Sequence, residues 1–293
     1  MLPLTAVLGV LCAIPLHTAH AAAEDGPTKS FEIEKHVNLP YRQDKDADPD
    51  RHKLDLYIPK GQKDFPVLMF VHGGSWKSGN KSLYAPLGAL FAKNGIGVAV
   101  INYRLSSKDG KIKHPDHIND VAAAFAWVHG NIGKYGGKKD RIFISGHSAG
   151  GHLVSLLATN ESYLKEHKLD LTSIRGVISL SGVYEIFAFP PFIEVFGKDA
   201  DICKAASPIN FVKAKDPPFL ICYADKDFPT IDKFSERFGK KLTDNECEAK
   251  VLKVEGRTHI TIIVQCAMSA EDPCTSAMLE FIAKHSEWKR SAK

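Results

Sequence analysis

The sequence predicts an α/β fold, a mostly parallel central sheet with helices on both faces and a small lid insertion. Three observations carry this. A continuous apolar run at residues 66–71, as a strand buried on both faces requires, is followed by further largely apolar strand-like runs at 96–101 and 174–180. Stretches with helical apolar spacing lie between such runs, at 82–93 and 117–131. At 293 residues the chain can bury a core large enough for one large α/β domain or two small ones.

Taken in order, residues 31–39 and 52–58 alternate apolar and polar side chains, as half-exposed strands do. They follow one another without a helix, which predicts an antiparallel pair. The Asp-rich loop between them, residues 44–50, has the spacing Asp44-x-Asp46-x-Asp48 but neither the glycine nor the closing glutamate of an EF-hand, so it reads as turn chemistry. Strands follow at 66–71, 96–101, 141–145, 174–180, 219–223 and 249–254. In the stretch 117–131, Ile118, Val121, Ala122, Phe125 and Val128 fall on one side of a helix, and residues 273–285 form the closing helix. The long interruption at 182–218 separates two core strands and is rich in proline and aromatics, including Tyr184, Phe187, Phe189, Phe192 and Phe196. A segment so placed over the C-terminal ends of parallel strands forms a pocket wall or small lid.

Composition narrows the class. The chain is 44% hydrophobic and 25% charged, with a formal net charge of +4. Its lysines are dispersed and make no basic run, which argues against a nucleic-acid partner. Residues 1–23 contain no Lys, Arg, Asp or Glu, and their apolar stretch 4–16 is followed by Ala19-His20-Ala21 and Ala21-Ala22-Ala23. This reads as a secretory signal cleaved after Ala21 or Ala23, too short in its apolar part to span a bilayer. The expected organisation is a signal peptide at 1–23, a linker at 24–30 and one domain over 31–290, exported to the periplasm or the extracellular space without stable membrane insertion. Cleavage removes Cys12 and leaves Cys203, Cys222, Cys247, Cys266 and Cys274. The odd count leaves at least one thiol unpaired within the chain. Cys222 lies in an apolar strand and reads as core, while Cys266 and Cys274 are placed to bridge two neighbouring helices. No Cys-x-x-Cys pair is present, and no metal or cofactor is called for.

The motif that gives this frame a chemistry is Gly146-His147-Ser148-Ala149-Gly150-Gly151, at the end of the apolar run 142–145 and the start of the helical spacing Leu153, Val154, Leu156, Leu157. It is a G-x-S-x-G sequence in a strand–turn–helix context, which lifts a serine hydroxyl clear of a sheet on a tight, crowded turn. A serine hydroxyl is a weak nucleophile and needs a base, and the base needs an orienting carboxylate. Asp225 and Asp227 both follow the strand at 219–223. His259 follows the strand at 249–254, whereas His152 and His167 precede either acid and His285 sits near the end of the closing helix. A tetrahedral oxyanion needs N–H donors, supplied by the residue after the serine, Ala149, and by a glycine loop after an earlier strand, His72-Gly73-Gly74-Ser75. His72 is read as holding that loop.

These pieces, together with Asn102-Tyr103-Arg104-Leu105, Ser181-Gly182-Val183-Tyr184, Ala224-Asp225-Lys226-Asp227 and Gly256-Arg257-Thr258-His259, span roughly residues 50–285 and resemble the α/β-hydrolases of the hormone-sensitive-lipase-like and feruloyl-esterase-like group. The resemblance selects Asp227 over Asp225 as the acid and implies oxyanion donors at Gly74, Ser75 and Ala149. Trp76 and Tyr184 are the candidate substrate-binding residues. The sequence departs from the family pattern at Ser75, at Tyr223-Ala224 before the acid, at Phe228 after it and at Arg257-Thr258 before the histidine. These departures bear on the substrate more than on the triad. The implied function is hydrolysis of a carboxylic ester, free or linked to polysaccharide, by Ser148, His259 and Asp227 through an acyl-enzyme, with acetyl or feruloyl esters as substrates. The alternatives are an amide hydrolase with the same triad and a binding module that has lost catalysis.

Overall fold

The computed structural model describes residues 30–107 and 109–288. The expected signal peptide, and all of the linker but Ser30, lie outside the described residues. Eight strands form one sheet: β1 (Ile33–Pro40), β2 (Lys53–Pro59), β3 (Phe65–Val71), β4 (Gly97–Ile101), β5 (Gly137–His147), β6 (Gly176–Leu180), β7 (Phe219–Lys226) and β8 (Ala249–Thr258). The α-helices are α1 (Ala85–Lys93), α2 (Asp116–Asn131), α3 (Ala149–Thr159), α4 (Ser162–Lys165), α5 (Pro190–Phe196), α6 (Ala200–Ala205), α7 (Ile231–Asp244), α8 (Thr261–Cys266) and α9 (Pro273–Ser286).

The strand order is β1-β2-β4-β3-β5-β6-β7-β8, and only β2 runs against the others. The antiparallel start and the parallel remainder match the sequence reading. Every residue of β3, β4 and β6 is buried, as expected of central strands covered on both sides. One face packs against α2, α3 and α7 through residues such as Phe125, Leu153 and Phe238. The other packs against α1, α8 and α9 through Phe91, Ile262, Met278 and Ile282.

The topology also places the functional loops. From β3 the chain crosses to β4 on one side, then returns to β5 on the other. The ends of β3 and β5 therefore flank the point where the winding reverses, where parallel sheets leave a crevice. Val71 and Gly146 are register partners, so the loop after β3 and the turn after β5 leave the sheet side by side.

Three expectations change. Strand β2, read as half-exposed, is buried from Leu54 to Pro59 because it lies inside the sheet between β1 and β4. Helix α7 lies in a stretch for which the sequence reading assigns no element, although Ile231, Ser235, Phe238, Gly239 and Leu242 make a regular buried stripe. The thiols of Cys203, Cys222, Cys247, Cys266 and Cys274 are all buried and free. Instead of bridging to Cys274, Cys266 directs its Sγ to Met278 Sδ at 3.5 Å, inside the apolar layer under α9.

The segment 182–218 carries α5 and α6 and is fastened to the body. Tyr184, Val195, Phe196, Cys203 and Ala206 belong to the core on the α7 side. Tyr184 stacks on Phe238 with centroids 4.3 Å apart, and Phe219 meets the same ring edge-on at 5.5 Å. Removing that shared ring leaves a cavity under both neighbours. Phe238→Ala is expected to cost about 3–5 kcal/mol in urea unfolding. Lys240→Ala, on the exposed face of the same helix, should cost less than about 0.5 kcal/mol.

Candidate active site

Ser148 stands between β5 and α3 with φ 57° and ψ −118°. That backbone costs a non-glycine residue about 1–3 kcal/mol and persists only where its surroundings enforce it. Packing enforces it here. A Cβ on Gly150 would lie 2.1 Å from the Val71 carbonyl oxygen, and one on Gly146 would lie 2.3 Å from the Gly150 carbonyl oxygen. Only glycine allows β3, β5 and α3 to approach this closely. The Ser148 N–H donates to the Leu180 carbonyl at 2.8 Å, which ties the turn to the end of β6.

His259 follows β8 and meets Ser148 across the sheet end. Its Nε2 accepts from Ser148 Oγ at 2.9 Å, and its Nδ1–H donates to Asp227 Oδ1 at 2.6 Å. Asp227, after β7, also receives Ser181 Oγ–H at 2.5 Å and the Ala224 N–H at 3.1 Å on Oδ2, and the Phe228 N–H at 2.8 Å on Oδ1. Burial alone would raise this carboxyl. The donors from His259, Ser181 and Ala224 outweigh it and hold Asp227 below the ordinary carboxylate range, as the anion. Asp225 acts on the backbone instead. Its Oδ1 accepts the Arg257 N–H at 2.8 Å and so holds the strand end that carries His259. Arg257 is tied further to Asp272 at 2.7 Å, and Thr258 and Thr261 exchange side-chain-to-backbone bonds around His259.

The loop after β3 runs through a series of left-handed backbone positions. Gly74 has φ 117°, and a Cβ there would lie 2.3 Å from the Ser78 carbonyl oxygen. Ser75 and Trp76 are held at φ 52° and 58°. The Gly73 N–H is taken by Tyr84 Oη at 3.1 Å. The N–H groups of Gly74, Ser75 and Ala149 find no backbone acceptor among the described residues. His72 does hold the loop. Its Nδ1–H donates to the Gly73 carbonyl at 2.8 Å, its Nε2 accepts from Arg51 Nη2 at 3.1 Å, and its ring stacks on Tyr103 at 4.4 Å. Arg51 also donates to the carbonyls of Tyr103 and Gly79. Both ring nitrogens of His72 are committed as those of a neutral imidazole, and burial pushes its pKa down to about 4.

The two residues expected at the substrate are turned inward. Tyr184 is 1% exposed, stacked on Phe238, with its hydroxyl on Ser179 Oγ at 2.8 Å. Trp76 is 3% exposed; its indole N–H donates to His152 Nδ1 at 3.2 Å, and Phe196 and Phe192 meet it edge-on. His152 passes the connection on by donating from Nε2 to the Ala206 carbonyl at 2.7 Å. Each aromatic has a polar tip that finds a buried partner, and this carries the ring into the protein.

Three contributors were not singled out from the sequence. Ser181 sits in a quoted motif without a role. Arg51 lies at the end of the Asp-rich loop, read only as a turn. His147 donates from Nε2 to the His259 carbonyl at 2.8 Å and packs on that ring at 4.9 Å. Each acts across the sheet on a residue distant in sequence, so local pattern carried no signal for any of them.

A nucleophile on a strained turn, a histidine bonded to it and to a buried carboxylate, and N–H groups without a backbone acceptor can together carry out attack on a carbonyl. The fold and this arrangement place the protein among the α/β-hydrolases. A family model, BD-FAE, matches residues 54–242, and the chain belongs to that family. The match takes in Ser148 and Asp227, while His259 is brought to them from β8. A probable isoprenylcysteine alpha-carbonyl methylesterase ICME of Oryza sativa subsp. japonica is 31% identical over 241 residues, 75% of this chain and 58% of that protein. Esterase LipQ of Mycobacterium tuberculosis is 35% identical over 197 residues, 61% of this chain and 46% of its own. The chain spans about half the length of these curated relatives. Among solved structures, a truncated carbohydrate esterase from gut microbiota superposes with TM-score 0.73 at 24% identity, covering 89% of this chain and 99% of the other. Esterase B from Lactobacillus rhamnosis gives 0.71 at 21% identity, covering 87% and 86%. These superpositions show the shared fold.

Burial makes a further prediction. His72, His114, His117 and His147 are pushed down from the ordinary 6.5 to about 4, and His152 to about 3, each chiefly by desolvation. The unfolded chain takes up protons at these residues below pH 6.5 and the folded chain does not. Their contribution to stability is therefore complete above pH 6.5 and lost progressively as pH falls toward 4. The urea midpoint should decline steadily from pH 7 to pH 4.5; a flat profile over that range would contradict neutral burial.

Proposed function

We propose that the protein is a serine carboxylic ester hydrolase that works through an acyl-enzyme. The observation that carries this is the position of His259, bonded at once to the strained Ser148 and to the anionic Asp227. His259 Nε2 takes the Ser148 proton as Oγ attacks the ester carbonyl carbon. The carbonyl oxygen, now negative, is received by the N–H groups of Gly74, Ser75 and Ala149. Asp227 keeps the imidazole in the Nδ1–H form and stabilises the imidazolium. The C–O bond then breaks, and the alcohol leaves with the proton from Nε2. A water molecule, deprotonated by the same nitrogen, repeats the attack on the acyl carbon and releases the acid and Ser148.

The relatives named as esterases, and a neighbour named as a carbohydrate esterase, support an ester over other acyl substrates. We take the substrate to be an acetyl or feruloyl ester of a plant polysaccharide. We also take the leading apolar segment to direct export; N-terminal sequencing of the mature protein tests cleavage after Ala21 or Ala23. Among the described residues no helix is long and apolar enough to cross a membrane.

Ser148→Ala should reduce kcat on p-nitrophenyl acetate by about 10⁶-fold and abolish labelling by a fluorophosphonate probe. Wild-type turnover in that variant would overturn the reading. Ser181→Ala removes one donor to the Asp227 carboxylate, a bond worth about 1.5–3 kcal/mol. It should lower kcat with little change in KM, and raise the pH at which activity falls away on the acid side.

A further inference from the structure

Phe228 is 59% exposed, whereas most phenylalanines of this chain are buried in the core. It is nonetheless held in place. Its N–H donates to Asp227 Oδ1 at 2.8 Å, and its ring lies flat on the His259 imidazole, with centroids 4.1 Å apart and planes 23° apart. One face of the ring is spent on His259, which is itself only 5% exposed, and the outer face is open to water. The next residue along the chain, Ile260, is 57% exposed.

The chemistry says which half of a substrate meets this surface. His259 Nε2 must hand its proton to the departing alcohol oxygen, so that oxygen passes within about 3 Å of the ring nitrogen. The acyl half is held at the opposite end of the scissile bond, by Ser148 and the N–H groups of Gly74, Ser75 and Ala149. A ring stacked on the imidazole is therefore beside the alcohol half. A flat, water-exposed phenyl face gains most by covering another flat apolar face, an aromatic ring or the C–H face of a sugar.

We propose that Phe228 is a specificity-determining platform on which the alcohol half of the ester stacks, and that it directs this protein toward esters of ring-bearing alcohols. The inference rests on the ester-hydrolase reading and extends it to the leaving group. It separates Phe228, whose ring is exposed, from the buried Trp76 and Tyr184.

The test uses two esters of similar size that carry the same phenyl ring on opposite sides of the carbonyl. These are benzyl acetate, with the ring on the alcohol, and ethyl phenylacetate, with the ring on the acid, each measured relative to ethyl acetate. Phe228→Ala should lower the kcat/KM ratio of benzyl acetate to ethyl acetate by about 3- to 10-fold, the scale of one aromatic pair. The ratio of ethyl phenylacetate to ethyl acetate should stay within about twofold. Phe228→Trp should keep or raise the first ratio. An unchanged first ratio overturns the platform, and so does an equal fall in both ratios. A uniform loss of turnover on all three esters also overturns it, because the ring would then serve only His259. Thermal unfolding of the variants, whose altered side chain is largely exposed, checks that they are folded. Ser148→Ala separates the two readings: if it is inactive on every ester while Phe228→Ala leaves the first ratio unchanged, the hydrolase stands and the platform falls.

Discussion

The arrangement depends on one close approach, that of the Val71 carbonyl at the end of β3 to Gly150 at the start of α3. There is no room for a side chain between them, since a Cβ on Gly150 would lie 2.1 Å from that oxygen. Because α3 sits this low, the chain must turn sharply at residue 148, and Ser148 takes a backbone that an unconstrained serine avoids. The same approach brings the loop after β3 beside the serine, since a Cβ on Gly73 would lie 3.1 Å from the Ser148 Cβ. Any side chain at Gly150 would separate nucleophile from donors and relax the turn in the same step.

Neutral histidines serve as connectors around this point. An uncharged imidazole offers one donor and one acceptor, so it can join two groups without burying a charge. His72 joins Arg51 to the Gly73 carbonyl, and His152 joins Trp76 to the Ala206 carbonyl. His147 fastens the backbone of His259 from the turn next to Ser148. Desolvation keeps these rings neutral, so protonating any of them opposes the scaffold that fixes the site.

Much of the fold was legible because its signals are local. The buried runs in β3, β4 and β6, the antiparallel entry of β1 and β2, and the turn around Ser148 each declare themselves within a few residues. The chain order of serine, acid and histidine followed from the fold class that those local signals indicate. What was not legible depended on distance. Asp225 and Asp227 are two residues apart at the end of one strand, and the residues alone do not say which reaches His259. The fold shows that Asp227 reaches the ring and Asp225 the backbone of Arg257. Tyr184 and Trp76 are named as substrate-binding candidates from the sequence, and their burial is visible only in the fold. Their hydroxyl and indole found buried partners in Ser179 and His152, which no single-chain pattern reports.

By itself, then, the sequence determined the alternation of strand and helix, the strained serine between glycines, and the residue types able to serve it, since these follow from backbone sterics and the spacing of apolar side chains. Only the tertiary structure decided which groups meet. Ser181 on Asp227, Arg51 on His72 and Phe228 on His259 are contacts between the ends of different strands or loops. Strand order and register set them, and both come from packing the whole sheet against its two layers of helices.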